Sequence, residues 1–587
     1  MKRDQVLSKI ADIEKEINLL PEGSVTKKNI NGKDYFYHRI NKDGKRIEKY
    51  VSFVEADDLS KQIKKRKELE NKLKTLKNSV SFDDEIKYKT IVRVGDELRA
   101  QVSFVKSFKK RECFKVLEDY IYDNNTEKVF ILYGLRRTGK TTLIRQMINE
   151  ITEFDRVAFI QIKSSDRLSD INYDLRLLEK EGYKYIFIDE VTLMEDFVDN
   201  ASLFSDIYAS SGMKIVLSGT DSLGFAITKQ EQLYDRCIML HTTFIPYREF
   251  EEVLGIKGID EYIEYGGTMS LGGVKYNESI FSSEKSAKEY VDTAIAKNIQ
   301  HSLKHYQDGG HFLNLYELYE KGELTNIINR VVENINHKFT KSVIEETFKS
   351  HDLSLTAANL LRDRNKSIDI KEHINIESIT RGIKDMLDIL DKQEQSIEVD
   401  DLVLNQIKEY LICLDLIMEI DLNFLPESNK QNKIVVVSQP GLRFSQAETV
   451  VENLLLDSKF NELPLEDRNY ILDRLLGEIK GRMMEEIVLL ETKLAKKDKE
   501  VFKLQFPIGE FDMVVFDKKK LSCEIYEIKH SESQTKQQYR HLVDEDKCEL
   551  TKQRYGNISG RYVIYRGEDA VIDGIQYLNV EKYLKSL

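Results

Sequence analysis

The residues from Gly134 to Thr141 have the types and spacing that phosphate binding requires. They read GLRRTGKT, which matches G-x-x-x-x-G-K-[ST] between an apolar run and a helical pattern. The two glycines allow main-chain N–H groups to face phosphate oxygens. Lys140 can reach the β- and γ-phosphates, and the Thr141 hydroxyl can ligate Mg²⁺. The motif predicts a P-loop that binds ATP and Mg²⁺. Its predicted nucleotide-binding residues are Gly134, Arg137, Thr138, Gly139, Lys140, Thr141 and Thr142.

A pair of acidic residues follows the P-loop at the end of another apolar run. The segment YKYIFIDEVTLM ends this run in Asp189 and Glu190, about 50 residues after the P-loop. We expect Asp189 to hold Mg²⁺ together with Thr141, and Glu190 to orient or deprotonate the attacking water. An acidic pair after a strand is also common at a helix N-terminus, so the pair indicates catalysis only together with the P-loop. Together the two motifs predict ATP hydrolysis.

Two further residues are candidates for phosphate contact. Ser218 ends the next strand pattern, KIVLSGTDS, where a polar side chain could sense the γ-phosphate. Ser and Gly are also common there as turn residues. Arg236 in LYDRCIML could contact phosphate, although an ordinary ion pair is the favoured alternative for this arginine.

A second constellation of charged residues lies near the carboxyl end. Glu485 belongs to an amphipathic helical pattern, Asp512 to a strand pattern, and Glu527 and Lys529 to the following strand pattern, EIYEIK. Residues two apart on a strand share a face, so Glu527 and Lys529 project together. This Glu…Asp…Glu-x-Lys order resembles the PD-(D/E)XK nuclease pattern.

That resemblance implies a role for each residue. Asp512 and Glu527 would hold Mg²⁺, Lys529 would position or activate water, and Glu485 would complete the shell. The alternative is an exposed hairpin in which E-x-K has no chemical role. The apolar neighbours of the strand argue against that alternative, because buried charges need partners. An intact acidic set does not by itself establish cleavage.

The elements that must carry these residues follow an α/β pattern. Short apolar runs separated by helix-length segments predict parallel strands at Val129–Tyr133, 157–162, 185–188 and 214–217. From about residue 283 to 430 the pattern becomes helical, and it includes the apolar segment QIKEYLICLDLIMEI. The last 110 or so residues return to mixed strands and helices.

The amino-terminal region has a different charge balance from the rest of the chain. Residues 1–80 hold 20 Lys and Arg against 13 Asp and Glu, which is a net charge of +7. Because the whole chain has a net charge of −12, the remaining residues have a net charge of −19. Two strand-like runs around NKDG predict a hairpin that carries aromatic and basic residues. Such a surface can bind nucleic acid. A solvated lysine-rich helix beside a small core is the alternative.

Composition excludes some classes of protein. No run approaches the roughly 18 apolar residues of a membrane span, and the amino terminus is charged where a signal peptide is apolar. The 5 cysteines are scattered without a C-x-x-C pair, which is typical of a reducing compartment. We therefore expect a cytoplasmic protein without membrane contact.

Several segments together resemble one protein family. GLRRTGKTTL, FIDEV, VLSGTDS, LYDR, IPYREFEE and EYGGTM occur in an order similar to prokaryotic AAA-type ATPases with a C-terminal nuclease-like domain. The resemblance runs from about residue 100 to the end. The chain differs from it at Asp235, where the family has Gly, and at Met269, where it has Pro.

The predicted fold is α/β in four parts. The resemblance implies a P-loop sheet core at 100–270, a helical lid with winged-helix-like elements at 271–440, and a restriction-endonuclease-like domain at 441–587. A small basic α+β module at 1–85 precedes them and lies outside the resemblance.

The resulting expectation is an ATPase coupled to a DNA-acting nuclease-like domain, in bacterial defence, mobile-element biology or genome maintenance. One alternative is a nucleotide-switched regulator that binds DNA or a protein without cutting. Another is a chaperone-like homo-oligomeric ring, against which the lack of a convincing arginine finger argues.

Overall fold

A computed structural model describes most of the chain, in two compact units. The first unit comprises residues 1–92 with 169–177, and the second comprises residues 93–168 with 178–587. The described residues are 20–30, 33–42, 45–85, 88–123, 127–194, 196–220, 233–254, 257–268, 284–296, 299–300, 313–349, 401–426, 431–452 and 464–587, with 13, 16, 17, 225, 303, 455 and 461. Met269 and much of the predicted lid lie outside these residues. The four domain boundaries remain predictions.

The first unit contains a three-stranded antiparallel sheet followed by a long helix. Its elements are β1 Ser24–Ile30, β2 Lys33–Lys42, β3 Lys45–Val51 and α1 Phe53–Glu85. Lys42 pairs with Lys45, which confirms the predicted hairpin, whereas β1 was not predicted. The tip of that hairpin lies outside the described residues. Arg39 forms an ion pair with Glu48 at 2.7 Å, so this cation of the predicted nucleic-acid surface is neutralised within its own sheet.

A parallel sheet and its helices come next along the chain, and they lie in the second unit except for residues 91–92 and 169–177, which belong to the first. These elements are β4 Ile91–Val94, α2 Gly95–Val102, α3 Phe114–Tyr122, β5 Val129–Tyr133, α4 Lys140–Glu150, β6 Val157–Gln161, α5 Leu168–Lys180, β7 Tyr185–Asp189, α6 Phe197–Asn200, β8 Lys214–Gly219 and β9 Cys237–His241. Five strands lie in the order β6-β7-β8-β5-β9, all parallel. The four predicted strands are confirmed within two residues, and β9 was not predicted. Their unbroken apolar runs fit a sheet that is covered on both faces.

The remaining elements form a helical region and a second sheet. They are α7 Tyr247–Leu254, α8 Ile259–Tyr265, α9 Glu284–Tyr290, α10 Leu313–Glu320, α11 Leu324–Lys349, α12 Asp401–Cys413, β10 Ile417–Phe424, β11 Gln431–Val437, α13 Pro440–Glu452, α14 Leu465–Ala495, β12 Glu500–Gln505, β13 Glu510–Asp517, β14 Ser522–Lys529, α15 Glu545–Tyr555, β15 Asn557–Tyr565, β16 Ala570–Ile572, β17 Ile575–Asn579 and α16 Val580–Lys585. The second sheet has the order β11-β10-β12-β13-β14-β15-β17-β16.

The helical interpretation was wrong at its carboxyl end. The helix α12 ends at Cys413, Asp415 takes a left-handed φ of 55°, and the chain continues as β10. β10 pairs in parallel with β12, so the segment predicted as part of a helix extends the carboxyl-terminal sheet. A continuous apolar run does not distinguish a buried helix from a buried strand.

One hydrophobic core joins the helices that follow β9 to the carboxyl-terminal sheet. Phe250 of α7 and Tyr262 of α8 are buried in the same cluster as Met484 of α14 and Met513 of β13. Each such side chain contributes roughly 1.5–3 kcal/mol when fully buried. The helices that follow β9 are therefore packed against the sheet that carries the second set of charged residues. Among the described helices, none combines the length and apolar content that a membrane crossing needs.

Candidate functional site

The P-loop follows the carboxyl end of β5 and leads directly into α4. Gly134 has a φ of 137°, and a Cβ there would lie 2.2 Å from the carbonyl oxygen of Thr242, so only glycine fits. Gly139 has a φ of 93° and Arg137 a φ of 67°. These left-handed residues turn the loop between the strand and the helix; the motif predicted this role for Gly134 and Gly139 but not for Arg137.

Lys140 is buried at the centre of this loop. Its Nζ donates to the carbonyl oxygens of Gly134 at 2.9 Å and Leu135 at 2.7 Å. Burial lowers the pKa of Lys140 to about 8, although the nearby carboxylates of Asp189 and Glu190 oppose that shift. Its hydrogen-bond partners are neutral, so the charge of this ammonium is available to an anion.

Asp189 at the end of β7 meets two hydroxyl groups. The Thr141 hydroxyl donates to Asp189 Oδ2 at 3.0 Å, and the Ser218 hydroxyl at the end of β8 donates to Asp189 Oδ1. Because parallel strands end at the same edge of a sheet, β5, β7 and β8 bring their polar ends together. The sequence-predicted pair Thr141 and Asp189 thus supplies oxygen ligands of the kind that Mg²⁺ prefers.

Glu190 stands beside this group in a strained conformation. Its φ is 60°, which is unusual for a residue with a side chain and is typical of functional sites. The Thr220 hydroxyl lies 3.5 Å from Glu190 Oε2. Burial raises the pKa of Glu190, and the charge of Lys140 opposes the rise. A carboxylate with a raised pKa is a better proton acceptor.

A buried arginine that the sequence analysis missed contacts the main chain of the P-loop. Arg111 Nη1 donates to the carbonyl oxygen of Thr138 at 2.8 Å, and Arg111 Nε forms an ion pair with Glu249 of α7 at 2.7 Å. The Thr138 hydroxyl donates to the Leu135 carbonyl at 2.9 Å. The only sequence signal for Arg111 was a charged residue just before the first apolar helix of this region. Its burial is a product of tertiary packing.

Other predicted nucleotide contacts differ in how they are positioned. The Arg137 guanidinium lies 5.9 Å from the ring centroid of Tyr290 in α9. Thr142 lies in the first turn of α4. Arg236 immediately precedes β9, at the amino-terminal edge of the sheet and opposite the P-loop, where it forms an ion pair with Asp206 at 2.7 Å. The structure therefore does not bring Arg236 to the P-loop of its own chain.

The carboxyl-terminal charged residues meet on β12, β13, β14 and α14. Lys529 Nζ lies 2.9 Å from Asp512 Oδ2 and 2.7 Å from Glu527 Oε2. The N–H of Ile528 donates to the same Asp512 oxygen at 2.8 Å. The Glu527 Oε1 atom is buried and has no hydrogen-bond partner among the described residues. The predicted hairpin thus brings three of the four predicted residues together.

The fourth predicted residue, Glu485, reaches the group through residues that the sequence analysis missed. Lys503 Nζ lies 2.7 Å from Glu510 Oε1, 3.5 Å from Glu485 Oε2 and 4.0 Å from Asp512 Oδ1. One carboxylate oxygen from each of Glu485, Glu510 and Asp512 lies within 4.8 Å of the other two. We call Glu485, Lys503, Glu510, Asp512, Glu527 and Lys529 the acidic centre. The spacing Glu510-x-Asp512 on one strand was the missed signal.

Burial sets the electrostatics of the acidic centre. Burial alone would raise the pKa of Asp512, but the Lys529 and Lys503 charges and the Ile528 N–H outweigh it and lower that pKa. Burial raises the pKa of Glu527 well above its usual range, and the charge of Asp512 adds to the rise. Two adjacent carboxyl groups with pKa values driven apart are typical of functional sites.

The region that contains the P-loop is similar to a known protein family. A family model described as an AAA domain (AAA_14) matches residues 126–251. An uncharacterized protein of Methanocaldococcus jannaschii, MJ1544, is 21% identical over 402 residues, which span 59% of this chain and 86% of that protein.

The chain also has weak similarity to solved structures. The Orc1 protein of Aeropyrum pernix in complex with DNA is 12% identical, covering 62% of this chain and 99% of its own, with a TM-score of 0.20. AMPPCP-bound DnaA from Aquifex aeolicus is 13% identical, covering 53% and 88%, with a TM-score of 0.21. These TM-scores are too low to carry an argument. The match of residues 126–251 and the geometry of the P-loop together support an AAA-type P-loop ATPase core that binds and hydrolyses ATP.

Proposed function

We propose that this chain is a Mg²⁺-dependent ATPase whose nucleotide state controls a nuclease-like, DNA-acting centre near its carboxyl end. The observation that carries the proposal is a run of buried polar contacts between the P-loop and α14, which bears Glu485. Both sites belong to the same compact unit of the chain. Small shifts at one site can be amplified by the repacking of the elements that join it to a second site.

The ATPase part of the proposal rests on the residues around Lys140. Its ammonium, which donates to the carbonyl oxygens of Gly134 and Leu135, would donate to the β- and γ-phosphates of ATP. Thr141 and Asp189 would hold Mg²⁺, which would neutralise charge on those phosphates. Glu190 would accept a proton from the attacking water as the water oxygen bonds to the γ-phosphorus. The bond from the γ-phosphorus to the oxygen that bridges it to the β-phosphate would break with its electron pair, and the products would be ADP and phosphate.

The nuclease-like part rests on the acidic centre. Glu485, Glu510 and Asp512 have the oxygen chemistry and the mutual distances to hold a divalent ion. Glu527 Oε1, which has no hydrogen-bond partner in the part of the chain that the structure describes, is a further buried oxygen. Such an ion would supply positive charge to a phosphodiester in the transition state. Lys529 would donate to a phosphate oxygen, and Glu527 would hold Lys529 in place.

Coupling would begin at Arg111. It holds the Thr138 carbonyl of the P-loop and the Glu249 carboxylate of α7, both through buried contacts. Any displacement of the loop on nucleotide binding would therefore be transmitted to α7. Leu135, also in the loop, packs in the core cluster of the helical region with Tyr290 and Leu442.

The contacts continue from α7 to α14. The main-chain N–H of Tyr247 donates to Glu491 Oε1 at 2.8 Å, and the Tyr262 hydroxyl donates to the same oxygen at 3.0 Å. Glu491 lies six residues, or about 9 Å, along α14 from Glu485. The side chain of Glu491 therefore links the helices that follow the parallel sheet to the helix of the acidic centre.

A second connection reaches β14 directly. Asp260 of α8 lies 2.7 Å from His530 Nε2 and 2.8 Å from Arg566 Nη2. His530 is the residue after Lys529, so a shift of α8 would move the end of the strand that carries Glu527 and Lys529. Physical continuity of this kind supports coupling, and measured coupling is its test.

The test is cleavage of labelled linear and plasmid DNA in Mg²⁺ and in Mn²⁺, with and without ATP. The variants are Lys140→Ala and Lys529→Ala, with Lys520→Ala as a control because that lysine is exposed on the same hairpin. We expect cleavage to be lost in Lys529→Ala, altered in Lys140→Ala and unchanged in Lys520→Ala. Cleavage that persists in Lys529→Ala, or that is indifferent to ATP and to Lys140→Ala, would contradict the proposal.

One observation favours the second candidate, a nucleotide-switched regulator that cuts nothing. Both lysines of the acidic centre already neutralise its carboxylates, as in a structural ion-pair cluster. Under that function ATP turnover would persist and no divalent ion would produce cleavage. DNA retention that changes with nucleotide in the full chain would then identify the regulated partner.

A further inference from the structure

A cavity of about 560 Å³ opens onto the acidic centre from the side of the helical region. Its floor includes Glu485, Lys503 and Glu510, three members of that centre. The helices α11 and α12 and the strands β10 and β11 supply the opposite walls. The segment that was predicted to be helical and proved to be β10 therefore shapes this cavity.

The chemistry of the walls is mixed. Apolar side chains such as Ile335, Leu404 and Ile434 line one part. Lys338 on α11 is exposed and adds positive charge, whereas Arg482 on α14 is half-buried and forms an ion pair with Glu485 at 2.9 Å. Binding sites for small organic groups occupy roughly 300–1,000 Å³ and combine apolar walls with a few polar groups. An apolar wall beside cations suits a base attached to a phosphate.

We infer that this cavity receives the nucleotide next to the phosphodiester that the acidic centre cleaves, and that the substrate strand is unpaired single-stranded DNA when it is cut. The inference rests on the proposed nuclease function and names its substrate class. A strand that places its phosphate beside Glu485 and Glu510 must place a neighbouring sugar and base within the cavity, because the cavity adjoins those carboxylates.

Burial of the acidic centre is the reason for an unpaired strand. The side chains of Asp512 and Glu527 are each only 3% exposed, and that of Glu485 is 16% exposed. A base that is stacked and paired in a duplex cannot enter a cavity flanked by helices without leaving its partner, which costs free energy. A single strand enters without that cost.

The bond changes at this site are those of hydrolysis. A water oxygen forms a bond to phosphorus, and the bond from phosphorus to one bridging oxygen breaks with its electron pair. The bridging oxygen takes up the proton that the water has lost. The products are a phosphomonoester and a hydroxyl group, and nothing is oxidised or reduced.

The experiment uses a substitution on α12 that places a larger side chain in the cavity. Leu404 lines the cavity and is 39% exposed, so Leu404→Trp adds bulk without disturbing the core. Leu402→Trp is the matched control, because Leu402 is 53% exposed on the same helix and residues two apart do not share a face. ATP turnover of the full-length variants reports that both proteins are folded.

The readout is cleavage of a fluorescent oligonucleotide, single-stranded or annealed to its complement, in Mg²⁺ or Mn²⁺. We expect the single strand to be cut about tenfold faster than the duplex. Leu404→Trp should lower single-strand cleavage about tenfold, and Leu402→Trp should leave it unchanged. Equal cleavage of both substrates, or wild-type cleavage by Leu404→Trp, would overturn the inference.

Fluorescence anisotropy of the same oligonucleotides in Ca²⁺ separates this inference from the nuclease function. If no ion supports cleavage, the nuclease function fails. Tighter binding of the single strand that Leu404→Trp weakens would still support the cavity as the nucleotide site. Binding that is equal for single strand and duplex, or equal for Leu404→Trp and Leu402→Trp, would overturn it.

Discussion

The two charged sites of this chain each contain a lysine, and the two lysines differ in burial and in partners: Lys140 is 6% exposed, whereas the side chain of Lys529 is 32% exposed. Lys140 of the P-loop donates to two neutral carbonyl oxygens, and burial lowers its pKa to about 8. Lys529 of the acidic centre contacts two carboxylates. Burial would lower the pKa of Lys529, but the charges of Asp512 and Glu527 outweigh it and raise that pKa.

This difference indicates what each site requires from outside the chain. The P-loop contains a cation whose contacts are dipoles, so an anionic ligand completes its electrostatics. The acidic centre has already neutralised much of its own charge. A divalent ion must compete there with the ammonium groups, above all that of Lys503, which lies among the three grouped carboxylates. A nucleotide site can thus be identified from the loop alone, whereas the acidic centre needs a metal-binding measurement.

The largest expected effect is a loss of unfolding free energy when the acidic centre loses Lys529. Lys529→Met leaves Asp512 and Glu527 buried without their shared cation, so we expect a loss of about 3–5 kcal/mol of unfolding free energy in EDTA. Mn²⁺ should restore much of it if the carboxylates hold a metal ion. Denaturant unfolding with and without Mn²⁺ measures both quantities, and Lys520→Met is the exposed control. Equal stability of Lys529→Met and Lys520→Met would show that the ion pairs contribute little.

The corresponding change in the P-loop should act on catalysis and leave the fold intact. Lys140→Met removes the ammonium that faces the phosphates, and we expect ATP turnover to fall by about 100-fold or more. Steady-state phosphate release measures the loss, with Lys128→Met as a surface control. Turnover within a few-fold of wild type would contradict the assignment of the P-loop.

Glu491, between the two sites, should give a pH-dependent effect. Burial raises its pKa to about 7 from an ordinary 4.5, so the fold favours the protonated acid. The wild type should therefore lose stability as pH rises from 4.5 to 7, by on the order of 1–3 kcal/mol, and Glu491→Gln should not. Unfolding free energies of the two proteins at pH 5 and pH 8 measure this. A difference between them that is the same at both pH values would contradict a titrating Glu491.

The pH dependence of ATP turnover should test the pKa shifts of Glu190 and Lys140 at the P-loop. Burial raises the pKa of Glu190, so the acidic limb of kcat/KM should lie above the ordinary range of a glutamate. Lys140 loses its proton as pH rises through about 8, so kcat/KM should decline again above that pH. Each limb should approach tenfold per pH unit. A profile that is flat from pH 5 to pH 9 would contradict both assignments.

The smallest effect is expected at Arg236. Its ion pair with Asp206 is about half exposed and lies at the opposite edge of the sheet from the P-loop. Arg236→Ala should change the unfolding free energy by less than about 1 kcal/mol and ATP turnover by less than twofold. Turnover at low and high protein concentration is the measurement. A large loss, seen only where the wild type self-associates, would instead favour contact with the nucleotide of a neighbouring copy.

Much of the nucleotide site was predictable because its residues are contiguous or end adjacent strands. The loop from Gly134 to Thr141 encodes its own turn through its glycines. β7 pairs in parallel with β8, with Ile188 opposite Leu217, and this register brings the next residues, Asp189 and Ser218, to the same edge. Arg111 could not be predicted, because its two partners lie 27 and 138 residues away along the chain.

The acidic centre was predictable only in part for a related reason. Alternation along β14 puts Glu527 and Lys529 on one face, and hairpin pairing brings Asp512 beside them. Glu510 and Lys503 became members only because β12, β13 and α14 pack together. The strand β10 was predicted as helix for the same reason. It forms because it pairs with β12, which lies far along the chain, and an apolar run of local sequence does not reveal such pairing.

The sequence by itself determined the chemistry of this protein's parts: a phosphate-binding loop, an acidic pair after a strand, and a Glu-x-Lys strand. These depend on local turns and on the alternation of side chains, which neighbouring residues dictate. Tertiary structure alone decided which charges are buried and what neutralises them. It gave Lys140 neutral partners and Lys529 charged ones, because burial and pairing depend on residues far apart in the chain.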